Sequence, residues 1–276
     1  MIEKLDPVAF IAKQLSNGGH CYFMPNGGNL GDCLIASATI QAFENAGIPW
    51  SLIRGKRQFV RPTDLLVFGG GGSLVPLYDG GIECVKSLQR LGAPVVVLPQ
   101  TVRGNEAFWK QAEAVTVFCR DTHSLNFIRG FPNISSFLAD DMALRLDLKT
   151  DLFSTVAAFR KVLAERKETR CLLAHRGDGE ALGPANKESI DISALAYPEM
   201  HSVESIHVNA CAFLTILATY SEIQTDRLHV AIGGSLLGIP VKLHENANGK
   251  NRAVYETSLR ERFPELRFEP EPPCSF

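Results

Sequence analysis

His20-Cys21-Tyr22-Phe23-Met24-Pro25-Asn26-Gly27-Gly28-Asn29-Leu30-Gly31-Asp32 is the stretch that decides the fold. Its first five residues read as a short buried strand, and a glycine turn follows. From about Asp32 to Asn45 apolar residues then recur at helical spacing until Gly47 and Pro49 stop them. Strand, glycine turn and helix make the opening of a βαβ unit. The rhythm continues with strands at Trp50-Ser51-Leu52-Ile53 and at Leu65-Leu66-Val67-Phe68, the latter entering Gly69-Gly70-Gly71-Gly72. A helix from Ile82 to Leu91 leads through Gly92-Ala93-Pro94 to the strand Val95 to Leu98, and a further short helix precedes Val115 to Phe118. Continuous apolar runs separated by amphipathic helices indicate a parallel sheet covered on both faces. The first half is expected to be an α/β, doubly wound domain.

After Asp140-Asp141-Met142-Ala143 the texture changes to a charged helix, Leu152 to Arg166. The α/β rhythm then restarts. Cys171 to Ala174 reads as a strand, Arg176 to Lys187 as a polar loop, and Val203 to Ala218 and Arg227 to Leu237 as helices. Val241 to Leu243 is a further strand, Ala253 to Phe263 a last helix, and the proline-rich run from Glu269 to Pro273 an irregular tail. Two Rossmann-like domains, residues 1–145 and 146–276, are expected, with a cleft between them as the default site.

Composition narrows the classes. The chain has 276 residues, 45% hydrophobic and 21% charged, with a formal net charge of -2. It lacks the basic footprint of a nucleic-acid binder. Seven cysteines form no Cys-x-x-Cys pair and lie mostly in apolar runs, which suits buried thiols in a reducing compartment. The N-terminus lacks a signal-peptide core, and the apolar stretch Ala210 to Ala218 falls far short of the roughly 20 residues of a membrane span. A cytoplasmic protein is expected; peripheral association with the inner face of a membrane stays open.

The loops after the strands carry the candidate chemistry. In Asn29-Leu30-Gly31-Asp32 the glycine permits close backbone approach, while Asp32 reads either as a ligand residue or as a helix cap. The segment is a poor dinucleotide fingerprint, because the next strand ends in Arg54 instead of an acid, and no P-loop lysine follows a glycine loop. Gly69, Gly70 and Gly71 are costly to order unless backbone must pass near a ligand. Gln100 ends a central strand. Arg120 and Ser124 follow another, as anion ligands or as a local Arg-Asp cap, and Asp140 with Asp141 offers at most one useful carboxylate, since adjacent extended residues point opposite ways. No metal-ligand spacing accompanies them.

In the second half, Arg176 follows the strand at Cys171 to Ala174. Thr225-Asp226-Arg227-Leu228-His229 opens an apolar helix ending at Gly238-Ile239-Pro240. Arg227 is a planar anion clamp and His229 a proton carrier near neutrality, both at the positive end of a helix dipole. His229 satisfied by Asp226 is the structural alternative. His175, His201, His207 and His244 read as structural, and His123 is left open.

In order, Asn29-x-Gly31-Asp32, Gly69-Gly70-Gly71, Pro99-Gln100, Arg120-Asp121-x-x-Ser124, Asp140-Asp141-x-Ala143, Arg176-x-Asp178-x-Glu180 and Thr225-Asp226-Arg227-Leu228-His229 with Gly238-Ile239-Pro240 resemble the polysaccharide pyruvyl transferase family. That resemblance implies two Rossmann-like domains in a GT-B-like arrangement. It also implies phosphoenolpyruvate as donor substrate, no cofactor, and a saccharide acceptor that is free or lipid-linked. His229, Arg176 and Asp32 become the expected catalytic residues, with Arg227, Arg176, Arg120 and Ser124 holding the donor. Asn29, Gly31, Gly69, Gly70, Gly71, Gln100 and Asp140 become acceptor or ligand-loop residues. A nucleotide-sugar glycosyltransferase and a non-catalytic scaffold in polysaccharide synthesis are the alternatives.

Overall fold

Pro7 at the first helical position, with the Asp6 carboxylate accepting from the amides of Val8 (2.8 Å) and Ala9 (3.3 Å), starts helix α1 (Pro7–Gln14). The computed structural model describes residues 2–53, 59–165, 169–182, 188–247 and 249–270. They separate into two compact units. One comprises Met1–Asn26, Ala38–Arg145 and His201–Val203, the other Gly27–Ser37, Leu146–Met200 and Glu204–Phe276. The chain passes from one unit to the other between Arg145 and Leu146. The segment Gly27–Ser37, expected with the first half, packs with the second.

The first unit is built on a seven-stranded parallel sheet. Its strands are β1 (Cys21–Met24), β2 (Trp50–Leu52), β3 (Leu65–Phe68), β4 (Gly71–Leu74), β5 (Val95–Val102), β6 (Val115–Cys119) and β7 (Ser135–Leu138). The order is β2-β1-β3-β5-β6-β7, with β4 pairing β5 beyond the end of β3. Strand order reverses between β1 and β3, the place where doubly wound sheets open a crevice at their carboxyl ends. Strands β3 and β5 are buried throughout, and helices α2 (Leu30–Asn45), α3 (Asp79–Gln89), α4 (Glu106–Gln111) and α5 (Thr122–Ile128) alternate with the strands. Leu66, Phe68, Val95, Val97, Val117 and Trp109 share one core cluster. Phe10 of α1 packs edge-on to Phe118, 5.5 Å between centroids, and covers β6.

Two expectations change here. Gly71 and Gly72 belong to β4 instead of a loop, and β5 continues through Pro99, Gln100 and Thr101 to Val102. Proline has no amide to donate, and the β5–β6 register shifts between Val97 and Gln100, which is how the strand passes Pro99. Arg54 lies outside the described residues.

The second unit carries a four-stranded parallel sheet in the order β11-β10-β9-β8. Its strands are β8 (Cys171–Ala174), β9 (Glu222–Thr225), β10 (Val241–His244) and β11 (Leu266–Glu269). Helices α6 (Asp151–Glu165), α7 (Val203–Ala218), α8 (Leu228–Leu236) and α9 (Lys250–Val254) accompany it. Ile206, Ala210, Phe213, Leu214 and Leu217 give α7 one buried face, and Leu214 and Leu217 lie under Gly233 of α8. The sequence reading passes over β9, whose Glu222 and Gln224 alternate with Ile223, and over β11. Glu269 therefore ends a strand instead of opening a tail; residues 271–273 lie outside the described residues. The helix expected from Ala253 to Phe263 is α9 followed by a π-helical turn, Tyr255–Leu259. Among the described residues no helix is long and apolar enough to cross a membrane.

Candidate active site

The carboxyl ends of β8 and β9 are tied together before any functional side chain is placed. Thr225 Oγ1 donates to the Ala174 carbonyl at 2.6 Å and accepts from the Arg227 amide at 2.9 Å, and the Arg176 amide donates to Asp226 Oδ1 at 2.8 Å. Both arginines therefore leave the sheet edge from fixed backbone. Burial pushes the Asp226 carboxyl above its ordinary value, a tendency that the Arg176 amide and the charges of Arg176 and Arg227 oppose.

Each guanidinium then meets carboxylates. Arg176, 4% exposed, donates from Nε to Asp178 Oδ1 at 2.7 Å and from Nη2 to Asp178 Oδ2 at 3.0 Å, and pairs with Glu180. Arg227 occupies the position before α8. It donates from Nε to Asp191 Oδ1 at 3.0 Å, pairs through Nη2 with Asp191 Oδ2, and reaches Asp178 Oδ2 at 3.0 Å. Glu180 is fully buried and also pairs with Lys250 and accepts from Asn246 Nδ2 at 3.3 Å. Burial works to raise the Asp178 carboxyl, yet its hydrogen bonds to Arg176 and the charges of Arg176 and Arg227 bring it down to about 2. Two-oxygen anions are what these two forks are shaped to hold.

His229 is the second residue of α8 and half-buried. Its neighbour is the turn at Asn29. Asn29 Oδ1 accepts from the Gly31 amide at 2.9 Å, while Asp32 Oδ2 accepts from the Asn29 amide at 2.9 Å, a reciprocal capping box that starts α2. The cap reading of Asp32 is thus seen directly. The turn holds Gly31 so close to His229 that an added Cβ would lie 2.8 Å from the His229 Cβ and 3.2 Å from Nδ1. Only glycine fits there without moving the imidazole.

The second unit thus brings together Asn29, Gly31, Asp32, Arg176, Arg227 and His229. The remaining sequence candidates, Gly69, Gly70, Gly71, Gln100, Arg120, Ser124 and Asp140, belong to the first. There Gly69 packs on the turn after β1, where a Cβ would come 2.5 Å from the Asn26 amide nitrogen, and its carbonyl accepts from buried Gln100 Nε2 at 2.7 Å. Arg120 is 1% exposed and donates to Thr101 Oγ1 at 2.9 Å and to Asp141 Oδ2 at 2.7 Å. Its charge is matched internally. Ser124 Oγ donates to Asp121 Oδ2 at 2.7 Å, Asp121 caps α5 through the Ser124 amide, and Arg103 Nη1 donates to Ser124 Oγ at 2.6 Å. Asp140 makes a surface ion pair with Lys4 at 2.6 Å, so the buried carboxylate of the Asp140-Asp141 pair is Asp141.

Among the histidines, His123 is exposed, and His207 bonds Ser37 and meets Phe153 edge-on. His175 is 7% exposed with neither ring nitrogen hydrogen-bonded, and its ring lies 5.8 Å from that of His244. Asp191, Asn246 and Lys250 were missed by sequence reading. The rule that ligands sit just past parallel strands would have flagged Asn246 and Lys250 after β10. Asp191 had no such signal. Among the described residues no group of three or more His, Cys, Asp or Glu is placed to hold a metal ion.

The sequence profile of the polysaccharide pyruvyl transferase family matches residues 29–241, from Asn29 of the capping box through both arginines and His229 to the start of β10. The chain belongs to that family. Within this polysaccharide pyruvyl transferase family member, the matched span holds every candidate residue named from the sequence, while Asn246 and Lys250 lie beyond it. Among solved structures it is similar to a functionally uncharacterized protein from Klebsiella pneumoniae subsp. pneumoniae NTUH-K2044. The two share 28% identity over 97% of this chain and 100% of that one, with a TM-score of 0.80. No curated protein sequence matches the chain.

Proposed function

We propose that this pyruvyl transferase moves the enolpyruvyl group of phosphoenolpyruvate onto a saccharide of a polysaccharide or its lipid-linked precursor, as a pyruvate ketal. The observation that carries the reading is the packing of His229 against Gly31 at the start of the helix that Arg227 precedes, together with the forks of Arg227 and Arg176, which hold carboxylates. Phosphoenolpyruvate carries a carboxylate and a phosphate, one anion for each fork.

The reaction requires a proton on the methylene carbon of the donor, which becomes a methyl group as the double bond's electrons take it up. A sugar hydroxyl bonds to the neighbouring carbon, the bond from that carbon to the phosphate oxygen breaks, and phosphate leaves with the electron pair. A second hydroxyl closes the ketal. Two hydroxyl protons are released overall, balancing the one delivered to carbon and one taken up by phosphate. His229 delivers and accepts these protons, and Arg176 and Arg227 hold the donor's anions and the departing phosphate. Asp32 acts through the turn, fixing Gly31 and with it the imidazole. We read the two units as the Rossmann-like halves of a GT-B-like transferase, with the donor on the second.

The test is incubation with phosphoenolpyruvate and a panel of galactosides, glucosides and mannosides, following phosphate release and the mass of the sugar. The wild type should give both signals and His229→Ala neither, with unchanged circular dichroism. Near-normal turnover by His229→Ala removes the assignment of that residue. Preferential binding of uridine or guanosine diphosphate would favour a nucleotide-sugar transferase instead.

A further inference from the structure

The two arginine forks are both filled by the protein's own carboxylates. Among the described residues of this cluster the cations Arg176, Arg227 and Lys250 face four carboxylates, Asp178, Glu180, Asp191 and Asp226. An anionic donor entering an unchanged cluster would meet more negative charge than positive and find no free fork. Something must give way.

The four carboxylates differ in how they are held. Glu180 is fully buried and shared among Arg176, Lys250 and Asn246, and Asp226 accepts a backbone amide at the sheet edge. These two are framework. The side chains of Asp178 and Asp191 are 38% and 18% exposed, and each lies on the connection that leaves β8. Asp178 fills the Arg176 fork with both oxygens, and Asp191 fills the Arg227 fork in the same way. A planar carboxylate bound through two oxygens has the geometry with which a substrate carboxylate, or one face of a phosphate, would bind the same guanidinium.

We propose that Asp178 and Asp191 are stand-in anions. They occupy the donor forks of Arg176 and Arg227 in the empty enzyme, and the donor's carboxylate and phosphate displace them into water. This rests on the reading of the two arginines as the donor's clamps. Holding the forks preformed keeps two buried guanidinium groups paired when no substrate is present, which avoids the large penalty of an unpaired buried charge. The cost is a competition that weakens donor binding. Asp178 and Asp191 are accordingly positioning residues that set affinity by exchange, and they take no part in proton transfer.

The sign of the effect separates this from a bracing role. Asp178→Asn and Asp191→Asn keep size and one hydrogen-bond acceptor but remove the competing charge. Calorimetric titration with inorganic phosphate and, separately, with phosphoenolpyruvate should show tighter binding to each variant than to wild type, about tenfold. The KM for phosphoenolpyruvate should fall with it, and kcat should not rise. Thermal melting follows the fold of both variants, and either one alone suffices for the comparison. Weaker or unchanged phosphate affinity in the folded variants overturns the proposal, as does a wild type and variants that all bind no phosphate. A wild type that binds phosphate but not phosphoenolpyruvate removes the donor assignment instead, and the phosphate titrations then still decide the exchange.

Discussion

Gly31 and His229 are packed so closely that a Cβ on Gly31 would come 2.8 Å from the His229 Cβ. The glycine lies in the first turn of α2 and the histidine in the first turn of α8, so the capping box at Asn29 and Asp32 sets where the imidazole sits. Gly31→Ala tests this coupling. Alanine favours a helix over glycine by about 0.8–1 kcal/mol, while the forced shift of a packed neighbour costs about 1–3 kcal/mol. The net change in stability is therefore small. On the proposed acid-base role of His229, activity should respond much more strongly, since displacing such a group by an ångström or so costs on the order of a hundredfold in rate. A kcat loss of that order, with a melting temperature within a few degrees of wild type, is the expected result.

Arg120 behaves as a brace of the first sheet. It joins Thr101 on β5 to Asp141 after β7, and Asp141 is fully buried and also accepts from the Ala143 amide at 2.9 Å. Arg120→Ala would strand that carboxylate, and breaking a buried pair from one side costs about 3–5 kcal/mol. Denaturant titration should show the loss, and Arg120→Met with Asp141→Leu should recover much of it. If Arg120 were chiefly a donor ligand, Arg120→Ala would instead keep its stability and raise the KM for phosphoenolpyruvate.

These cases show what was legible beforehand. The strands with uninterrupted apolar runs, such as Leu65–Phe68 and Val95–Val97, were readable because burial on both faces leaves no room for polar residues. Glu222–Thr225 and Leu266–Glu269 were not, because sheet strands of four residues with alternating polarity carry too little signal to separate them from loop. The position of Arg176 past a parallel strand followed from topology, and those of Arg227 and His229 from the start of an apolar helix. Their partners did not: Asp191 is 36 residues from Arg227 and Lys250 is 70 from Glu180, and no local spacing encodes such pairs. The association of Gly27–Ser37 with the second unit was likewise invisible, since it depends on packing at His229 and His207 and not on the chain's rhythm.

His175 should make stability depend on pH. Burial, together with the nearby His244, pushes its imidazole down to about 4 from an ordinary 6.5. The folded protein therefore binds fewer protons than the unfolded chain between about pH 4 and 6.5. Stability contributed by the neutral ring is present above 6.5, falls as pH drops through that window, and is lost no further below about 4. His175→Leu removes the titrating group and should flatten the pH dependence of the denaturation midpoint between pH 4 and 6.5. An unchanged slope would mean that other groups carry it.

The buried set of Arg176, Glu180 and Lys250 makes a last, sharper prediction. Glu180 has no exposure and pairs with two cations that are themselves buried, and Asn246 closes the set. Replacing Glu180 alone with Gln takes the Glu180 counter-charge from buried Lys250 and leaves Arg176 its pair with Asp178, so a loss of about 3–5 kcal/mol is expected. Replacing Lys250 alone with Met should cost less, because Arg176 and Asn246 still engage the carboxylate. The two changes together restore neutrality around Glu180→Gln and Lys250→Met, leaving Arg176 paired with Asp178. The double variant should consequently be more stable than Glu180→Gln alone, a non-additive outcome that equilibrium denaturation of the four proteins reads directly. Additive losses would show that Lys250 is held by surroundings other than Glu180, and that the cluster is not one electrostatic unit.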